Sequence, residues 1–101
     1  MGKKDAVIMA FAPKIRQETA RTAHHKFQSD NAMARMKYER TMIHNYKANP
    51  PPGMDAHPST AVHKQHLADA RQAMHSHNAH MRESTEKTNQ YVWEMVRQAY
   101  N

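Results

Sequence analysis

Apolar positions in this chain fall into two long helical patterns separated by one break. Between positions 14 and 48, Ala20, Ala23, Phe27, Ala34, Tyr38 and Met42 lie within an arc of about 100° when projected at helical spacing. Only Arg16, among the lysines and arginines from Lys14 to Lys47, enters that arc. Between positions 60 and 101, Leu67, Ala70, Met74, His77, Met81, Thr85, Thr88, Val92, Met95, Val96 and Ala99 share a second face of similar width. Every charged residue from Lys64 to Arg97 lies off it. The break is Asn49-Pro50-Pro51-Pro52-Gly53, with Pro58 shortly after. Prolines donate no backbone N–H and push the preceding residue out of the α region, so no helix crosses them. The pattern predicts an all-α fold: two long helices joined by a Pro-rich elbow, extended and without an independent core.

Four segments follow from this reading. Residues 1–13 form an apolar N-terminal hook around Val7, Ile8, Met9 and Phe11, with Pro13 opening the first helix. Residues 14–48 form a basic helical arm, and residues 49–59 the elbow. Residues 60–101 form an amphipathic helix capped by Ser59 or Thr60. The second seam mixes apolar residues with His63, His77, Asn78, Thr85 and Thr88, which is unlike a coiled-coil core. Whether the arms fold back as a hairpin or splay is left open by the pattern.

Composition turns this architecture into a statement about stability. Leu, Ile, Val and Phe together supply ten residues of 101, a share at which a chain with high net charge is expected to lack its own fold. Helix formers abound and glycine occurs only at Gly2 and Gly53. A helix-prone chain with so little to bury is expected to take its interior from a partner and to order as it binds.

Charge narrows the partner. The formal net charge is +6, and residues 1–50 carry ten Lys/Arg against four Asp/Glu, while residues 51–101 carry five of each. The first arm is thus suited to an acidic surface. Arg21, Lys26, Arg35, Lys37 and Arg40 are its candidate electrostatic contacts, with Ala20, Ala23 and Phe27 as a close-packing surface. Phe11 in the hook, and Met74, Tyr91, Trp93, Met95 and Tyr100 in the second arm, are candidate anchors, since Trp and Tyr dominate interface energetics. No apolar run is long enough for a membrane span. The start of the chain is a poor signal peptide, because Asp5 interrupts its apolar stretch and Pro13 follows the cleavage-like Ala10-Phe11-Ala12. Ala6 stands where a myristoylation signal needs Ser or Thr.

Candidate chemistry is sparse. Cysteine is absent, so neither disulfides nor thiolate metal sites form. Glycine is too rare for a phosphate-binding loop, and the serines lie within helical patterns. Six of nine histidines fall between His57 and His80. His63/His66 and His77/His80 each place two nitrogens on one helix face, but zinc wants three or four ligands. No enzyme activity, cofactor, metal or small-molecule substrate is expected, and zinc titration is expected to give no stoichiometric heat.

Within the second arm, Arg71-Gln72-Ala73-Met74, Glu83 or Glu86, Tyr91, Glu94-Met95 and Ala99-Tyr100 resemble the terminal helix of small microtubule inner proteins, the cilia- and flagella-associated proteins. Methionines replace leucines of that pattern, and Arg97 stands near its missing glycine. The resemblance covers about 30 residues and implies a non-enzymatic structural protein. Such proteins lie on the inner wall of doublet microtubules in the axoneme of a cilium or flagellum, bind tubulin and neighbouring inner proteins, and stabilise the lattice. The alternative expectation is an accessory subunit of a large mitochondrial or ribosomal assembly that binds protein or RNA.

Overall fold

A computed structural model describes residues 2–101 and contains two α-helices, α1 (Lys3–Ala48) and α2 (Ser59–Tyr100), with no strand among the described residues. The chain divides into two compact units. One comprises residues 1–26 and 78–101, the other Phe27–His77. In each unit a stretch of α1 runs antiparallel to a stretch of α2. The first unit pairs Lys3 with Asn101, Phe11 with Tyr91 and His25 with His80. The second pairs Glu39 with His63 and Tyr46 with His57. Within each unit, then, the arms lie side by side.

Local chemistry explains the elbow. Asn49 precedes Pro50 and cannot continue the helix comfortably. Its side-chain amide instead donates to the Asn45 carbonyl (3.1 Å), satisfying one of the carbonyls left orphaned at the end of α1. The Met54 N–H then donates to the Pro51 carbonyl across a tight turn with Pro52 and Gly53 at its centre. Gly53 has φ of 80°, the left-handed value that a type II turn requires at this position. His57 packs on Tyr46 (4.3 Å between ring centroids, planes inclined at 34°), fastening the elbow to the last turn of α1.

Two expectations about helix ends are corrected. The apolar segment ahead of Pro13 is not a separate hook: α1 runs from Lys3 straight through Pro13. Proline there removes one backbone hydrogen bond, but Phe11 is buried against Tyr91, and that contact favours keeping the segment helical. At the start of α2, capping comes from neither Ser59 nor Thr60. The Ser59 N–H donates to the His57 ring Nδ1 (3.0 Å) and the Thr60 N–H to the His57 carbonyl (3.0 Å), while the Thr60 hydroxyl is buried without a hydrogen-bond partner.

The inward positions recur at alternating steps of three and four. On α1 they are Phe11, Ile15, Glu18, Thr22 and His25 in the first unit, then Ser29, Ala32, Met36, Glu39, Ile43 and Tyr46 in the second. On α2 they are Thr60, His63, Leu67, Ala70, Met74 and His77 in the second unit, then Met81, Ser84, Thr88, Tyr91, Met95 and Ala99 in the first. Apart from the last step, from Met95 to Ala99, this is the heptad spacing of paired helices. The seam of α2 is mixed in composition, as expected, and unlike a coiled-coil core in that respect, while its spacing is that of heptads. The seam holds Phe11, Ala32, Met36, Ala70 and Ala99 as its buried apolar side chains, alongside buried Glu18, Ser29, Glu39, Thr60 and Ser84. Thr22 and Thr88 quiet their hydroxyls by donating to the carbonyls of Glu18 and Ser84 one turn back.

Which face of α1 turns inward is also corrected. Ala20 and Ala23 in the first unit, and Phe27, Ala34 and Tyr38 in the second, are exposed, and only Met42 of the expected stripe is half-buried. The true inward face carries Glu18, Thr22, His25, Ser29 and Glu39, which a search for apolar periodicity passes over. On α2 the error is smaller and has another cause. The expected face agrees with the seam through Met81 and again at Thr88, Met95 and Ala99, but Ser84 and Tyr91 are in the seam while Thr85, Val92 and Val96 are exposed. A straight-helix projection slips by about 20° per heptad against a seven-residue repeat.

Candidate functional site

Of the predicted partner contacts, the structure leaves most at the surface and withdraws a few. Phe11 is buried, and its ring meets that of Tyr91 at 6.4 Å. The Lys14 ammonium lies 5.4 Å from the Phe11 centroid and 5.8 Å from that of Tyr91. Phe11 and Tyr91 thus serve the interior of the first unit. Met95 there, and Met74 in the second unit, are half-buried in the same seam. Ala20, Ala23 and Phe27 are exposed, as are Arg21, Lys26, Arg35, Lys37 and Arg40. Two of these cations serve buried carboxylates: Arg21 reaches Glu18 (3.5 Å) and Arg35 reaches Glu39 (3.7 Å).

Trp93 is the most exposed large apolar residue, at 75% of its surface, and Tyr100 follows at 70%. Both lie on α2 in the first unit, where the heptad turns Tyr91, Met95 and Ala99 inward and leaves Val92, Trp93, Val96 and Tyr100 outside. Trp93 lines a shallow surface depression with Asn89, Gln90, Glu94 and Arg97. The Lys4 ammonium sits 4.3 Å from the Tyr100 ring centroid. The last turns of α2 are apolar on two sides, one spent on the first unit and one presented outward.

The second unit contains an arrangement the sequence pattern does not announce. Glu39, on α1, is 2% exposed. Its Oε2 accepts a hydrogen bond from His63 Nδ1 at 2.5 Å, and its Oε1 lies 3.5 Å from His66 Nδ1. His63 and His66 are one turn apart on α2, so both rings reach the same carboxylate. Tyr46 stacks on the His63 ring (5.4 Å between centroids, planes 22° apart) and Tyr38 meets it edge-on at 6.4 Å. One ligand atom from each of Glu39, His63 and His66 falls within 4.8 Å of the others, the only such trio among the described residues. The sequence identifies the His63/His66 pair, but not its third member, because nothing in local spacing aligns position 39 with position 63.

No family model matches the chain, and no curated protein or solved structure is significantly similar to it. No helix among the described residues is long and apolar enough to cross a membrane.

Proposed function

We propose that this chain is a non-enzymatic structural subunit that lies on the inner wall of ciliary or flagellar doublet microtubules, binding tubulin and neighbouring inner proteins and stabilising the lattice. The observation that carries the reading is the outward apolar face at the end of α2, where Trp93 and Tyr100 stand exposed beside Val92 and Val96. Exposed aromatic residues grouped this way mark interaction sites on soluble proteins, and Trp and Tyr are the side chains that most often anchor them. The thin interior supports the same reading. Three of its five buried apolar residues are alanines, so a partner that covers the outer faces would add apolar burial that the two units lack. Exposed Lys37 and Arg40, with the overall charge of +6, favour an acidic partner such as tubulin.

Co-sedimentation of the purified chain with microtubules, beside RNA filter binding over a salt series, tests this reading. The expected result is saturable pelleting with microtubules that Trp93→Ala weakens. RNA binding with a steep salt slope and no microtubule association would instead favour the accessory-subunit role in a mitochondrial or ribosomal assembly.

A further inference from the structure

We propose that Glu39, His63 and His66 form a site for a divalent transition-metal ion, with Zn²⁺ as the ion these donors suit. The proposal is independent of the microtubule reading. Two imidazole nitrogens and a carboxylate form a borderline donor set, favouring zinc and its neighbours over Mg²⁺ or Ca²⁺, which prefer all-oxygen shells. Zinc accepts three protein ligands of this kind and completes its tetrahedron with water or a group from a partner.

One donor atom from each of the three residues lies within 4.8 Å of the others, so modest side-chain adjustments close the set, and each histidine faces its own oxygen of the Glu39 carboxylate. Ligands held about 2.0–2.2 Å from a tetrahedral zinc lie about 3.4 Å from one another. The Glu39 Oε1 to His66 Nδ1 separation is already 3.5 Å. The Glu39 Oε2 to His63 Nδ1 separation of 2.5 Å opens by roughly an ångström when a metal replaces the proton that His63 donates. The supports are in place as well. Stacking on Tyr46 fixes the plane of His63, and Tyr46 is itself backed by His57. Access is available on one side only: the Glu39 and His63 side chains are 2% and 15% exposed, while that of His66 is 41% exposed and faces solvent. Arg35, 3.7 Å from Glu39 Oε1, competes for the carboxylate, but its side chain is 60% exposed and free to swing outward as the metal enters.

Because one ligand comes from α1 and two from α2, the ion would clasp the helices of the second unit. Binding to the paired form and not to the unfolded chain raises its melting temperature by linkage. His66 also keeps the open coordination position near the surface, where a partner carboxylate or a water fills it.

Isothermal titration of the full chain with ZnCl₂ at neutral pH, with MgCl₂ alongside, tests the proposal. One zinc per chain is expected, with no binding of Mg²⁺. At a hundredfold excess of zinc over Kd, the melting temperature should rise by more than about 5 °C. Glu39→Gln, His63→Ala and His66→Ala should each weaken binding at least about 100-fold, and His75→Ala, on the exposed surface of α2, should not. Circular dichroism of each variant reports whether the helices persist. His66→Cys provides a readout that survives any loss of stability in the others. It should keep zinc and, with Co²⁺, add a thiolate-to-cobalt charge-transfer band absent from the wild type. The proposal is overturned if zinc does not bind stoichiometrically, if the three ligand variants bind like the wild type, or if His66→Cys shows no thiolate band. A cluster that is solely an ion-pair network for a buried carboxylate gives the first of these outcomes.

Discussion

Phe11 and Tyr91 meet with ring centroids 6.4 Å apart and planes inclined at 57°, joining the two ends of the chain within one unit. About two and a half turns on from Tyr91, Tyr100 is exposed, and so is Trp93, two residues after Tyr91. The same short stretch of α2 therefore holds residues that fold the unit and residues left over for a partner, and mutation should separate them. Phe11→Ala should lower stability by about 3 kcal/mol, the usual cost of emptying an aromatic site. Trp93→Ala should stay within about 0.5 kcal/mol of wild type. Urea denaturation followed by circular dichroism makes the comparison. Equal losses would mean that Trp93 is packed and unavailable.

The converse ranking applies to binding. Trp93→Ala should reduce association with microtubules more than Lys26→Ala does, since a desolvated aromatic anchor outweighs a single solvated charge. Quantitative pelleting over a range of tubulin concentrations measures both. A larger loss from Lys26→Ala would make charge the principal attachment.

Glu39 and His63 should be energetically coupled. The carboxylate is 2% exposed and depends on its neighbours for hydrogen bonding. Removing either partner leaves the other buried and undersatisfied, a loss of about 1–3 kcal/mol. The double variant Glu39→Gln/His63→Ala should lose less than the sum of the two singles, with a coupling energy of at least about 0.5 kcal/mol. Strict additivity, measured by chemical denaturation without added metal, would show that the contact contributes nothing in solution.

Thr60 offers the opposite kind of test. Its hydroxyl is buried in the seam without a partner. Thr60→Val keeps the shape and removes the orphaned group, so it should stabilise the chain by about 1 kcal/mol. A lower melting temperature would mean that the hydroxyl is hydrogen-bonded after all.

In the elbow, a methyl group added at Gly53 would meet nothing within 4 Å, so only its φ of 80° opposes substitution. Gly53→Ala should cost about 1–2 kcal/mol through backbone strain alone. No change in the unfolding midpoint would show that the turn relaxes to another conformation.

The sequence by itself determined that two helices exist and where the break between them falls. Prolines act on their immediate neighbours, and helix propensity accumulates residue by residue, so Asn49 to Pro58 could be read as a gap without any knowledge of what packs on what. It also determined where the charge lies and that Trp93 and Tyr100 are prominent. Tertiary structure alone decided which side of α1 faces inward, because that side is built of Glu18, Thr22, His25, Ser29 and Glu39, polar residues that apolar periodicity does not mark and that are satisfied partly within α1 and partly, as at Glu39, from the opposite helix. It decided, too, that Glu39 stands against His63 and His66. Their alignment depends on the number of residues the elbow consumes and on a heptad register held over many turns, quantities that no window along a single helix contains.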